Sequence, residues 1–359
     1  APMRSRAARG HAPWRRSGAP SGCSAGMRRR PPAARSRPTA VLLWSPDGKL
    51  QRDLPEHSNV GCCCCASRDG TFVLSASYDR TLKLFRTADG ALLHTLRGHT
   101  AAVACCCFSP EGERALSASG DHTMKLWRVG DGGLKRTFEG HRSGVFHCSF
   151  SLDGERALSA SHDKTLGLWR VADGTLQQTL DLHADLASCC CFSPDGARVL
   201  SASLDKSLQL WNLASGGAVA LAGHSSYVLW CCFSPDGRRA LSASSDHTLK
   251  LWRVEDGAEE RTLRGHLDRV SCCAFSPDGS LVLSASRDQT LRLWLSSDGE
   301  LAAVLAGHTD DVTRCCFSAD GARVVSASQD GTLRLWRVAG EVLERPGAER
   351  VWRYGFQRV

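Results

Sequence analysis

The amino-acid sequence predicts an all-β fold: a seven-bladed β-propeller of four-stranded antiparallel blades, preceded by a disordered N-terminal tail. Three observations lead there. A histidine, usually following glycine, recurs at a nearly constant interval; apolar and polar residues alternate between Asp-Gly turns; and no segment sustains a 3.6-residue apolar period.

The histidines are His57, His99, His141, His183, His224, His266 and His308, 42 residues apart with one interval of 41. Each interval reads in the same order. An apolar, cysteine-rich run such as VACCCF (103–108) reads as a first strand. The SPDG-type segment after it is a turn, because Pro fixes φ and Gly supplies the positive φ that a reversal needs. A second strand ends in LSAS, an Asp corner follows, a third strand ends in a sequence like LKLW, and a short fourth strand comes after another Asp-Gly turn. One sheet of about forty residues cannot cover both its faces, whereas seven packed radially cover one another. The boundaries read as tail 1–40, propeller 41–345 and C-terminal extension 346–359.

Of the 359 residues 42% are hydrophobic, enough for a sizeable core. No run approaches the roughly 18 uncharged apolar residues of a membrane helix, so no membrane anchor is expected. The formal charge of +8 is local: ten arginines, six of the 13 prolines and no acidic residue lie in residues 1–40, leaving the remainder slightly acidic. Such a composition cannot bury enough apolar surface to fold. Nucleic acid would be a partner only through this tail, where MRRRPPAARSR (27–37) is the candidate import or binding patch. The 18 cysteines stand in runs at equivalent repeat positions with no apolar leader ahead of them, which points to reduced thiols and a cytoplasmic location, the nucleus being second.

The stretch GHLDRVSCCAFSPDGSLVLSASRDQTLRLW (265–294) resembles a repeat of the WD-repeat β-propeller family, and the resemblance covers about residues 41–340. It implies a rigid wheel that binds other proteins without catalysis. It also implies a hydrogen-bond network within each repeat, carried by His99, Asp121 and Trp127; by His141, Asp163 and Trp169; by His183, Asp205 and Trp211; by His224, Asp246 and Trp252; by His266, Asp288 and Trp294; and by His308, Asp330 and Trp336. Either Ser284 or Ser286 would join the sixth unit's set. Physical chemistry agrees, since a buried Asp needs donors and an indole N–H needs an acceptor. Metal binding or acid–base catalysis by this series is not expected, because matching histidines of different blades should lie too far apart to share one ion.

Two departures from the family pattern stand out. Its Trp-Asp pair is mostly Trp-Arg here, at Trp127-Arg128, Trp169-Arg170, Trp252-Arg253 and Trp336-Arg337, which should alter surface charge and leave the packing of the indole alone. The first unit is the weakest, with Glu56 for Gly, Ala66 for Phe and Phe85 for Trp.

Adjacent strand residues face opposite ways, so a CCC run offers no convergent ligand set, and C-x-x-C spacing occurs only within Cys62 to Cys65. The cysteines, Cys189 to Cys191 and Cys315 to Cys316 among them, are read as buried filler. No nucleophile with its base, paired carboxylates or phosphate-cradling loop stands outside the repeat, so neither enzyme activity nor a cofactor nor a metal is expected.

Function should then reside where the repeats differ. The resemblance implies an exposed binding face built from the residues flanking the first-strand Val position and the residue before the Asp. Carried over, these are Tyr78 in unit one, Phe146 and His162 in unit three, Leu186 and Leu204 in unit four, Tyr227 and Leu229 in unit five, Arg269 and Arg287 in unit six, and Asp311 and Gln329 in unit seven. Aromatic and Arg anchors suit a protein interface. The expected function is an adaptor that binds proteins or peptides, including within a multiprotein complex. The alternative is the ligand-sensing propeller of a larger signalling ATPase of the apoptosome type, for which the relevant feature is TAVLLWSPDG (39–48), similar to the third-strand end of a further repeat.

Overall fold

The structure is a computed structural model that describes residues 41–343, apart from 45–49, 55, 56, 60, 182, 319 and 331, together with residues 351–355. The expected tail 1–40 and most of the extension 346–359 lie outside the described residues. Among the described residues all regular structure is β. None of their elements is a helix long and apolar enough to cross a membrane.

Six four-stranded antiparallel sheets follow one another in chain order, and a three-stranded sheet comes seventh. Sheet one consists of Gly61–Ala66, Phe72–Ser77, Thr81–Arg86 and Leu92–Arg97, paired in that order. The first strands of the other six are Val103–Phe108, Val145–Phe150, Ala187–Phe192, Val228–Phe233, Val270–Phe275 and Val312–Phe317.

Burial explains the composition of each strand. In sheet five the second strand Arg239–Ser244 is buried from Ala240 onward, the third strand Leu249–Arg253 is buried up to Trp252, and the fourth strand Glu259–Leu263 is largely exposed. Strands covered on both faces must be apolar or small throughout, which is what LSAS and LKLW supply. The core is correspondingly divided into layers between sheets. Leu241, Ala243, Leu249 and Leu251 of sheet five pack against Val270, Cys273, Val282 and Trp294 of sheet six.

Each first strand lies against the first strand of the next sheet, from Gly61–Ala66 to Val312–Phe317. The series also curves. The Arg314 guanidinium of sheet seven sits 4.3 Å from the Trp230 ring of sheet five, and His147 of sheet three meets Trp230 edge-on at 4.9 Å. Side chains from non-neighbouring sheets can touch only if their inner edges face a common axis, the arrangement of a propeller.

Two further strand pairs lie against sheets six and seven. Val41–Trp44 pairs with Leu50–Leu54 and lies beside Leu333–Arg337, the last strand of sheet seven, without ladder bonds to it. Ala339–Leu343 pairs with Val351–Gly355, which lies beside Leu301–Ala306 of sheet six.

Candidate functional site

In sheets two to seven the expected His–Asp–Ser–Trp network forms, and sheet one has its His–Asp–Ser part, with Phe85 in place of the tryptophan. In sheet six His266 Nδ1 donates to Asp288 Oδ2 at 2.7 Å, Ser284 Oγ donates to His266 Nε2 at 2.7 Å, and Trp294 Nε1 donates to Ser284 Oγ at 2.9 Å. The choice between serines is thereby made: Ser284 takes the network, while Ser286 Oγ accepts from the Asp288 amide and donates to the Asp268 carbonyl. Asp288 also accepts from the Leu267 amide and from the amide and hydroxyl of Thr290, so one carboxylate fixes the histidine, the loop after it and the corner into the third strand.

The same His–Asp contact measures 2.8 Å for His99–Asp121, His141–Asp163, His224–Asp246 and His308–Asp330, and 2.9 Å for His183–Asp205 and for His57–Asp79 in the first unit. Trp127, Trp169, Trp252 and Trp336 reach their serines at 2.8 to 2.9 Å; Trp211 makes the longest of these bonds, at 3.4 Å. Burial works against these carboxylates, yet the hydrogen bonds from His, Thr and the backbone outweigh it. Asp163 and Asp330 are held near 2, with Asp121, Asp246 and Asp288 lower still. His57, His183, His266 and His308 are pushed down by burial, with Asp opposing, and so are neutral at pH 7. Every polar atom of the network is committed to a neighbour within its own sheet, the behaviour of a structural clamp.

Three of the arginines that follow the tryptophans do not add free surface charge. Arg128, Arg170 and Arg253 pair with Asp131, Asp173 and Asp256 at 2.8, 3.1 and 3.2 Å. These pairs are about half exposed and contribute little to stability.

The residues expected on the exposed face sit where each first strand leaves regular pairing. Val145 opposes Ser161 and His147 opposes Ala160, so Phe146 is the extra residue of a bulge; Leu229 is the corresponding residue between Val228 and Trp230. A bulge re-aims one side chain at the cost of a local break in the ladder. Phe146 stacks on His162, with ring centroids 3.5 Å apart and planes at 11°. Gly144 permits this, because a Cβ there would lie 2.9 Å from the Phe146 ring.

Backbone bonds hold the flanking positions together in register: Leu204 N to Leu186 O at 3.0 Å, Arg287 N to Arg269 O at 3.0 Å and Gln329 N to Asp311 O at 2.9 Å. Leu186, Leu204, Leu229 and Arg269 are half-buried, whereas Tyr78 and Tyr227 are 49% and 43% exposed. Arg287 is not a free anchor, since its Nε donates to Asp311 Oδ2 at 2.5 Å and so ties sheet six to sheet seven.

Three features escaped the sequence reading. Leu267 is 81% exposed, at a position filled elsewhere by Ser58, Thr100, Arg142, Ala184, Ser225 and Thr309; comparing that column would have revealed it. The Trp230, Arg314 and His147 cluster occupies a column that holds Cys63, Cys105, Cys189 and Cys272 in the other units.

Thiols also converge, not along a strand but across sheets. Cys106 meets Cys63 and Cys65, Cys148 meets Cys105 and Cys107, and Cys231 meets Cys189 and Cys191. Cys189, Cys190 and Cys315 are buried as expected, but Cys316 is exposed, which corrects its reading as filler. The Cys62 side chain lies outside the described residues. No group of three or more ligating side chains among the described residues is arranged to hold a metal ion.

A concavity of about 820 Å³ lies among sheets four to six, lined by Arg198, Arg239, Glu260 and Asp278 among others. Two of its arginines are engaged, Arg198 with the Val254 carbonyl at 2.7 Å and Arg239 with the Ser296 carbonyl at 2.8 Å.

Two family models match the chain. The IFT122 first beta-propeller matches residues 105–294, more than half of the sequence, and the WD domain, G-beta repeat, matches residues 48–86 and 299–337. No curated protein matches it.

Proposed function

The chain belongs to the WD-repeat β-propeller family, and from that membership we propose a non-catalytic adaptor that binds other proteins or peptides on the exposed face of a seven-bladed wheel. The observation that carries the proposal is a backbone-fixed set of apolar and aromatic groups, with Phe146 and Leu229 on bulges: the Phe146–His162 stack, Leu186 beside Leu204, and Tyr227 next to Leu229. The repeat does not need these groups for its own packing, and rigid aromatic anchors lose little entropy on binding.

The test is affinity purification with Tyr227→Ala combined with Arg269→Ala. Arg287 is spared because its removal would strand Asp311. The double variant should keep the fold and weaken the main partner by roughly thirtyfold, the effect of losing about 2 kcal/mol at a hot spot, whereas His162→Ala alone should matter less. Unchanged capture by the double variant, together with loss on charge reversal at Arg128, Arg170 and Arg253, would move the working surface to the periphery.

The proposal includes closure of the seventh blade from the N-terminal side, which the position of Val41–Trp44 beside Leu333–Arg337 supports. Deleting residues 1–54 should then expose a sheet edge and promote aggregation, read by light scattering, while deleting 346–359 should leave the thermal midpoint nearly unchanged. The reverse pair of results would assign closure to the C-terminal strand. The Val41–Leu54 strand pair also favours the second reading, the ligand-sensing propeller of a larger signalling ATPase with repeats continuing upstream, and the extent of the transcript upstream tests it.

A further inference from the structure

One of the thiol clusters between sheets joins sheets one and two. Cys65 Sγ of the strand Gly61–Ala66 lies 3.8 Å from Cys106 Sγ of Val103–Phe108, in hydrogen-bond contact with it. Both thiols are free, Cys106 buried and Cys65 half-buried. A disulfide needs the sulfurs to close to about 2.05 Å, with Cβ atoms roughly 3.5–4.5 Å apart, a movement of less than 2 Å shared by two side chains.

The pair is not sealed from solvent. Cys65 packs beside Phe108 of sheet two and is itself half-buried, which leaves a small oxidant a path to its sulfur.

We propose that Cys65 and Cys106 form a modification site at which hydrogen peroxide introduces a disulfide between sheets one and two. The Cys65 sulfur attacks one peroxide oxygen, breaking the O–O bond; the departing hydroxide takes up the thiol proton as water and leaves a sulfenic acid. Cys106 sulfur then attacks the Cys65 sulfur, the S–S bond forms, and the sulfenic oxygen leaves as a second water. Two thiols lose two electrons and two protons, and one peroxide becomes two waters. Contact with Cys106 favours the Cys65 thiolate, but burial together with the neighbouring Cys63 and Cys107 sulfurs raises its pKa, so reaction is slow and the oxidant is supplied in excess.

The test treats the reduced full chain with hydrogen peroxide, blocks the remaining thiols and maps a digest prepared without reductant. A Cys65–Cys106 linked peptide pair, two hydrogens lighter than its reduced parts, is the expected product. It should be lost in Cys65→Ser, a variant whose reduced thermal midpoint matches that of the wild type. Oxidation of a cysteine-containing peptide added as an internal standard shows that the reagent acted. If Cys65 and Cys106 are then recovered unlinked, or if Cys106 is linked to Cys63, the proposal is overturned.

Discussion

Trp252→Ala should destabilise the protein by about 3–5 kcal/mol, measured as a fall in the denaturant midpoint at constant slope. The indole is 1% exposed and fills the layer between sheets four and five, against Leu200, Leu210, Val228 and Ala240. Its loss leaves a cavity and removes the donor to Ser242 Oγ, 2.9 Å away. Asp246→Ala should cost less, about 1–3 kcal/mol, by stranding the donors of His224, Ser225 and Thr248. Because Trp252 and Asp246 share one network through Ser242 and His224, their double variant should fall short of the sum. Midpoints unchanged in both single variants would remove the clamp from the account of stability.

Acid should unfold the protein in two stages. A histidine with a lowered pKa is neutral in the fold and charged in the unfolded chain below about pH 6.5, so His57, His183, His266 and His308 remove stability as the pH falls through that value. A carboxylate with a lowered pKa stabilises above its unfolded value near 4 and loses that contribution as the pH drops toward its folded value. Asp163 and Asp330, held near 2, each contribute about 2 kcal/mol that disappears in this second window, joined by Asp121, Asp246 and Asp288. Circular dichroism followed from pH 8 to 2 should show a shallow loss of stability below about 6.5 and a steep one below about 4. Asp288→Asn should flatten part of the steep stage, and a profile insensitive to pH below 4 would contradict the reading.

The repeat, the four-strand order and the His, Asp and Trp of each network were legible because they recur at one interval and their chemistry demands partners. The choice of Ser284 over Ser286 was not: the two stand two residues apart on one face, and only their depth along the strand separates them. Likewise, strand parity correctly keeps neighbouring cysteines apart, but it says nothing of Cys106 meeting Cys65 from the next sheet. The Arg287–Asp311 pair was hidden for the same reason, since its members lie 24 residues apart on adjoining sheets. The fate of the two terminal strand segments could not be read either, because both have strand-like composition and the last edge can accept only one.

The Trp230, Arg314 and His147 contacts bear on how the molecule comes apart. A linear array of repeats, each touching only its neighbours, can fray from either end one unit at a time. Here sheets three, five and seven are fastened to one another at the axis, so releasing the last sheet withdraws the cation from the face of Trp230 and loosens a sheet two places away. The hub thus works like a keystone: it suppresses partly unravelled species and concentrates unfolding into one collective event.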